Sequence, residues 1–230
     1  MWVAIPLTFR TLSRLEMKFE SYLEQVKRWP QSGRHILAQF DEASIVVYQA
    51  YRPEIAEYAV KHQRFGGAFS FTRMSWIKPN FLWMMYRSGW ASKEGQERVL
   101  GVRIRRPAFE DLLAAAVPST YWPERYSSSE QWQAEVNKSD VRLQWDPDHS
   151  PAGGPLERRA IQLGLRGAML HYYAIEAVLE IIDLTEFVLS QRPNVTGDRG
   201  LLTIPREEVF VSSRSEVITA IRLDAWPPSN

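Results

Sequence analysis

The chain has 230 residues, 45% hydrophobic and 24% charged, with a formal net charge of +1. That balance fits a globular domain with a real core, and it removes any bulk electrostatic case for nucleic acid or membrane, so an anion site has to be a local cluster. With no cysteine there is no disulfide, thiolate zinc site or cysteine nucleophile, and the four histidines (His35, His62, His149, His171) include no pair at metal-ligand spacing, so no metal is expected.

The first nine residues are apolar but lack a basic leader and are interrupted by Pro6, which argues against a signal peptide. No run approaches the roughly 18 apolar residues of a membrane span, so a soluble, cytoplasmic protein without a membrane partner is the expectation. Leu12, Leu15, Phe19, Leu23 and Val26 recur at three- and four-residue spacing and predict an amphipathic helix over 11–29, closed by Trp29-Pro30. Residues 36–40 and 45–51 predict a β-hairpin whose second strand is β-branched and aromatic. Period-two alternation sends Tyr48 and Ala50 one way and Gln49 and Tyr51 the other. A helix follows at Pro53, with acids early and bases late, and is expected to end at Gly66-Gly67. Phe69-Ser-Phe reads as a short strand.

Lys78-Pro79-Asn80 predicts the start of a helix carrying Phe81 to Arg87 and stopped by Gly89. Val99 to Arg105 is a strand, and Arg106-Pro107 turns it into a helix running from Ala108 to Val117. Residues 118–140 form a polar, aromatic insertion with one short helix. Val141 to Trp145 is a strand ending in Asp146-Pro147-Asp148-His149, residues 150–155 are a mobile loop, and Arg159 to Leu165 is a further strand. Met169 to Glu180 reads as a helix, while Leu201–Ile204 and Val217–Leu223 read as strands. There is no βαβα rhythm and no glycine-rich dinucleotide fingerprint. The expected fold is therefore α+β, a single domain with a mixed, mostly antiparallel sheet flanked by helices. The expected layout is a helical extension over 1–34, a core over 35–190 and a C-terminal extension over 191–230 packed on that core.

The run from Arg73 to Trp90 carries the chemistry. It holds Trp76, Trp83, Trp90, Phe81 and Tyr86 beside the cations Arg73, Lys78 and Arg87. Aromatic faces plus fixed cations suit a flat, anionic ligand such as a nucleotide, with arginine favoured for bidentate contact to phosphate. Tyr48, Gln49 and Tyr51, at a strand end, offer hydrogen bonds to an amide or ribose and a ring to stack a base. Gln144 and Asp146 lie at another strand end, where Asp146 suits a general base or the stabiliser of a developing cation. Arg158, Arg159 and Gln162 follow the mobile loop and are expected to close over an anionic ligand.

Val47-Tyr-Gln-Ala-Tyr-Arg-Pro-Glu-Ile-Ala, the run from Arg73 to Trp90, Gln96-Glu-Arg-Val-Leu, and Val141-Arg-Leu-Gln-Trp-Asp-Pro-Asp-His with Arg159-Ala-Ile-Gln-Leu-Gly-Leu resemble a microbial family called domain of unknown function 4291. The resemblance covers about residues 35–190, and the family label carries no activity. The order of elements is also loosely similar to the split-sheet ADP-ribosyltransferase fold. That likeness implies a transferase using NAD as substrate, with aromatics clamping the nicotinamide and a carboxylate supporting an oxocarbenium-like transition state. Asp146, Tyr48 and Arg87 are the catalytic candidates on this reading. The chain departs from the pattern in having Tyr48 and Gln49 where a His or Arg is usual, and no Gln-x-Glu or Glu-x-Glu pair at a strand end. The alternative is an RNA partner: a tRNA-dependent enzyme resembling cyclodipeptide synthases, or a module stacking single-stranded RNA.

Overall fold

The computed structural model describes residues 17–227. Phe19–Ser21 (β1) runs into Tyr22–Val26 (α1), and Ile36–Ala38 (β2) precedes Ser44–Tyr51 (β3). Pro53–His62 (α2), Ser75–Ile77 (β4), Phe81–Ser88 (α3), Arg98–Arg105 (β5) and Arg106–Ala114 (α4) follow. Then come Ala116–Pro118 (β6), Ser129–Lys138 (α5), Val141–His149 (β7), Pro155–Leu165 (β8), Gly167–His171 (α6) and Val178–Asp183 (β9). Thr185–Gln191 (α7), Thr203–Pro205 (β10), Glu208–Phe210 (β11) and Ser215–Ile221 (α8) complete the chain.

The architecture is α+β, as expected. One antiparallel sheet has the order β3-β5-β9, and a second, mixed sheet has the order β4-β8-β7-β6 with β6 parallel to β7. The two meet at a single antiparallel bridge. Tyr48 N–H donates to the Lys78 carbonyl at 2.6 Å, and Lys78 N–H donates to the Tyr48 carbonyl at 3.2 Å. Strand β3, on the side of its sheet that meets the second sheet, is apolar on both faces: Ile45 and Val47 enter one core, and Val46 and Tyr48 the other. Helices α2 and α4 and the segment around Tyr173 cover the first core, and α3 and α7 cover the second. No helix among the described residues is long and apolar enough to cross a membrane.

Several elements differ from their sequence signals, each because a distant partner wins. Of the helix expected over 11–29, residues 11–16 lie outside the described residues. Phe19–Ser21 pairs with Thr203–Pro205, which leaves only Tyr22–Val26 helical. The expected 36–51 hairpin is reduced to a Phe40–Ile45 bridge, because Ile36–Ala38 pairs with Glu208–Phe210. Helix α2 stops at Gln63 in the left-handed region (φ 54°), ahead of the two glycines. Gly66 and Gly67 instead let Tyr58 approach, since a Cβ on either would sit 2.7 Å from that ring. Phe69-Ser-Phe is no strand, and Phe69 packs 4.7 Å from Phe65 in an aromatic cluster.

The helix expected from Met169 to Glu180 breaks into α6, a π-helical turn over Tyr172–Ala177, and β9. The β-branched Val178, Ile181 and Ile182 find partners on β5. The expected strand at 217–223 is helix α8, whose Val217 and Ile221 are buried four residues apart. Ala116–Pro118 leaves the expected α4 to pair with β7. Residues 150–155 are not a loose loop. Gly153 N–H donates to the Ser150 carbonyl and Ser150 N–H to the Gly154 carbonyl, both at 2.8 Å, closing a tight β7–β8 turn.

The second core contains a buried acid. Glu207 is 0% exposed. Its Oε1 accepts from Phe81 N–H at 2.6 Å at the start of α3, and its Oε2 has no partner. Burial pushes its carboxyl well above the usual 4.5, opposed chiefly by the Phe81 bond. A group whose folded value is raised holds its proton longer in the fold than in the unfolded chain. Its stabilising contribution is full below about 4.5 and falls as pH climbs through the raised value. Glu207→Gln keeps the acceptor and removes the titration. The variant should therefore gain stability over wild type as pH rises from 4.5 towards neutrality, and equal slopes in denaturant melts across that range would refute a buried proton.

Candidate functional site

Helix α3 is positioned at both ends. The Asn80 side chain accepts from Trp83 N–H at 2.7 Å, and Gly89 (φ 60°) closes the other end, donating to the Met85 and Tyr86 carbonyls. Lys78, just before the cap, is pinned by the bridge to Tyr48. Met84 and Arg87, three residues apart, lie on the face of α3 that looks along the seam between the sheets.

A cleft of about 430 Å³ opens where the sheets part. Gln49, Tyr51, Ser75 and Trp76 form one wall, Lys78, Met84 and Arg87 another, and Gln144, Gln162 and Gln96 close it. Gln49 is 2% exposed and stitches the seam from inside. Its amide nitrogen donates to Tyr51 Oη (2.7 Å), Ser75 Oγ (2.9 Å) and the Trp76 carbonyl (3.2 Å), while its oxygen accepts from Tyr173 Oη at 2.7 Å. The Gln162 amide donates to Gln144 Oε1 and to Asp146 Oδ2, each at 2.7 Å, and so ties the far wall to a carboxylate.

The electrostatics follow from this burial. Lys78 is 4% exposed, and desolvation with the neighbouring Arg87 charge lowers its amine to about 8, against the opposite pull of Asp146. Burial raises the Asp146 carboxyl, tempered by the Gln162 bond and by Lys78, Arg159 and His149. Burial also lowers His149, whose ring stacks on Tyr86 with centroids 3.5 Å apart. Arg87 is exposed and has no carboxylate partner among the described residues.

Of the residues singled out in the sequence, the structure gathers Gln49, Tyr51, Trp76, Lys78, Arg87, Gln144 and Gln162 around one cleft, with Asp146 directly behind Gln162. Arg73 lines an adjoining hollow of about 540 Å³ that shares Tyr51, Met74 and Ser75 with the first. Trp83 sits behind Lys78, its ring centre 5.7 Å from the amine, and Tyr86 lies on the exposed side of α3 against His149.

Three residues are placed elsewhere. Tyr48 is 0% exposed and points to the opposite face of β3, edge-on to Phe81, because alternation separates it from Gln49. Trp90 is buried in the second core, its indole N–H donating to the Pro151 carbonyl at 3.1 Å. Arg158 cannot close over a ligand, since it is 3% exposed and held in an ion pair with Asp148. Ser75, Met84 and Gln96 escaped sequence reasoning. Ser75 lies in the Arg73–Trp90 run, where its aromatic neighbours mask its small hydroxyl. Tyr173 carried no signal, since it reaches Gln49 across 124 positions of sequence.

No curated protein matches the chain. The family model described as "Domain of unknown function (DUF4291)" matches residues 35–210, from the turn before β2 to the end of β11, and the chain belongs to that family.

Proposed function

We propose that the chain is a nucleotide-using transferase that moves ADP-ribose from NAD to a nucleic-acid or small-molecule acceptor. The observation that carries this reading is the cleft at the split between the sheets, which combines Lys78 and Arg87 with the rings of Tyr51 and Trp76 and a carboxylate behind one wall. The two cations suit a diphosphate, and the rings suit a flat nicotinamide or base. As the C1′–nitrogen bond breaks, its electron pair leaves with nicotinamide and positive charge develops on the ribose. Asp146 stabilises that charge through space. The acceptor heteroatom then bonds to C1′ and gives up its proton to solvent. The assay is nicotinamide release from NAD, with and without RNA and free nucleosides. Release supports the reading. Neither binding nor consumption of NAD with any acceptor ends it.

The adjoining hollow favours a second reading. Arg73, exposed and without a carboxylate partner among the described residues, extends the cationic path beyond what one dinucleotide requires. A tRNA-dependent enzyme, or a module holding single-stranded RNA, would use such a path. RNA affinity that falls steeply with salt supports it, and no RNA retention at low salt removes it.

A further inference from the structure

We propose that Lys78 is an amine nucleophile that forms an imine with a phosphate-bearing aldehyde held in the cleft. Four features place it in that role. Its backbone is fixed on both sides, by the bridge to Tyr48 and by the capped start of α3. The residue is only 4% exposed yet lines the cleft wall. Among the described residues its amine has no hydrogen-bond or ion-pair partner, only the Trp83 ring at 5.7 Å. Arg87 lies beside it, close enough to hold an anionic group and to disfavour a second positive charge. Desolvation together with a neighbouring cation is the arrangement that frees a lysine lone pair near neutral pH.

In the covalent step the nitrogen lone pair attacks the carbonyl carbon, the carbonyl oxygen takes a proton, and water leaves. Amine, aldehyde and one proton taken from solvent give a protonated imine plus water. The fitting ligand class is a phosphorylated sugar or other aldehyde carrying phosphate. ADP-ribose, whose ring opens to an aldehyde at C1′ once nicotinamide has gone, belongs to that class. The anion preference rests on the ADP-ribosyl reading, while the nucleophile does not.

The charged groups facing the amine are Arg87 from α3 and Asp146 from β7. The test uses the wild-type chain with pyridoxal 5′-phosphate, borohydride reduction and peptide mapping. Lys78 should be the first site modified, with a rate that rises through pH 8. ADP-ribose should compete. Pyridoxal without phosphate, and Arg87→Ala with the phosphate ester, should each label roughly tenfold more slowly. Arg87→Ala should also move the pH midpoint upward, because a neighbouring positive charge is gone. Adducts confined to exposed lysines such as Lys61 and Lys93 would overturn the proposal, as would equal rates with and without the phosphate. Labelling of Lys78 without nicotinamide release would sink the transferase reading alone. Nicotinamide release with an inert Lys78 would sink this proposal alone.

Discussion

Replacing Arg158 with alanine should lower the unfolding free energy by roughly 3–5 kcal/mol, the range found when one partner of a buried ion pair is removed. Its Nε and Nη2 donate to Asp148 Oδ2 at 2.8 and 2.5 Å, and Nη1 donates to the Pro30 carbonyl at 2.5 Å. The guanidinium also lies 5.3 Å from the centre of the Trp29 ring. Side-chain exposures of 3% and 1% leave the pair almost no water. Asp148 spends its other oxygen on His149 N–H at 2.7 Å, so the truncated variant strands a carboxylate in the interior. The readout is the midpoint of urea unfolding. Arg158→Met combined with Asp148→Asn should recover much of the loss, because the pair itself adds little once both desolvation costs are removed. A loss under about 1 kcal/mol for the single variant would show that water reaches Asp148 when the arginine goes.

Arg87→Ala should do the opposite. It should leave stability within about 0.5 kcal/mol of wild type and weaken NAD binding by roughly 10- to 100-fold. The side chain is exposed and has no ion-pair partner among the described residues, so its removal breaks nothing in the fold. A bound diphosphate would lose a charge-assisted, bidentate contact of about 1.5–3 kcal/mol. Calorimetric titration of both proteins with NAD at one salt concentration measures the difference. Equal affinities would move the anion site away from α3, and a collapsed melting temperature would mean that Arg87 is structural.

The sequence was legible where local physics decides. The Pro53 helix, the Asn80 cap, the Gly89 stop and the strands around Val102, Leu143 and Leu163 form much as spacing and turn chemistry imply. The cleft was partly legible for the same reason: Trp76, Lys78 and Arg87 belong to one short strand–cap–helix unit. What spacing could not supply was pairing across long separations. Phe19 to Ser21 has helical periodicity but meets a strand some 180 positions later, and Ile36 to Ala38 leaves its near neighbour for residues 208–210. From sequence Arg158 reads as a mobile surface cation, because nothing local shows that Asp148 and Pro30 enclose it. Tyr48 is different. Period-two alternation already separated it from Gln49, and grouping both at one site ran against that parity.

The narrow joint between the sheets has a consequence for how the molecule comes apart. Two backbone hydrogen bonds at Tyr48 and Lys78 are a thin connection for halves with three and four strands. Side chains supply the remaining linkage: Val47, Val102 and Ile104 of one sheet share a buried core with Ile77, Leu143, Ile161 and Leu163 of the other, and Gln49 reaches Ser75, Trp76 and Tyr173 at once. Unfolding cooperativity, the property that makes a domain melt in one step, therefore rests on that shared core, with Gln49 adding a polar tie beside the cleft. A molecule bound there touches both halves and adds a tie across the joint. Occupancy would sharpen the melting transition as well as raise its midpoint.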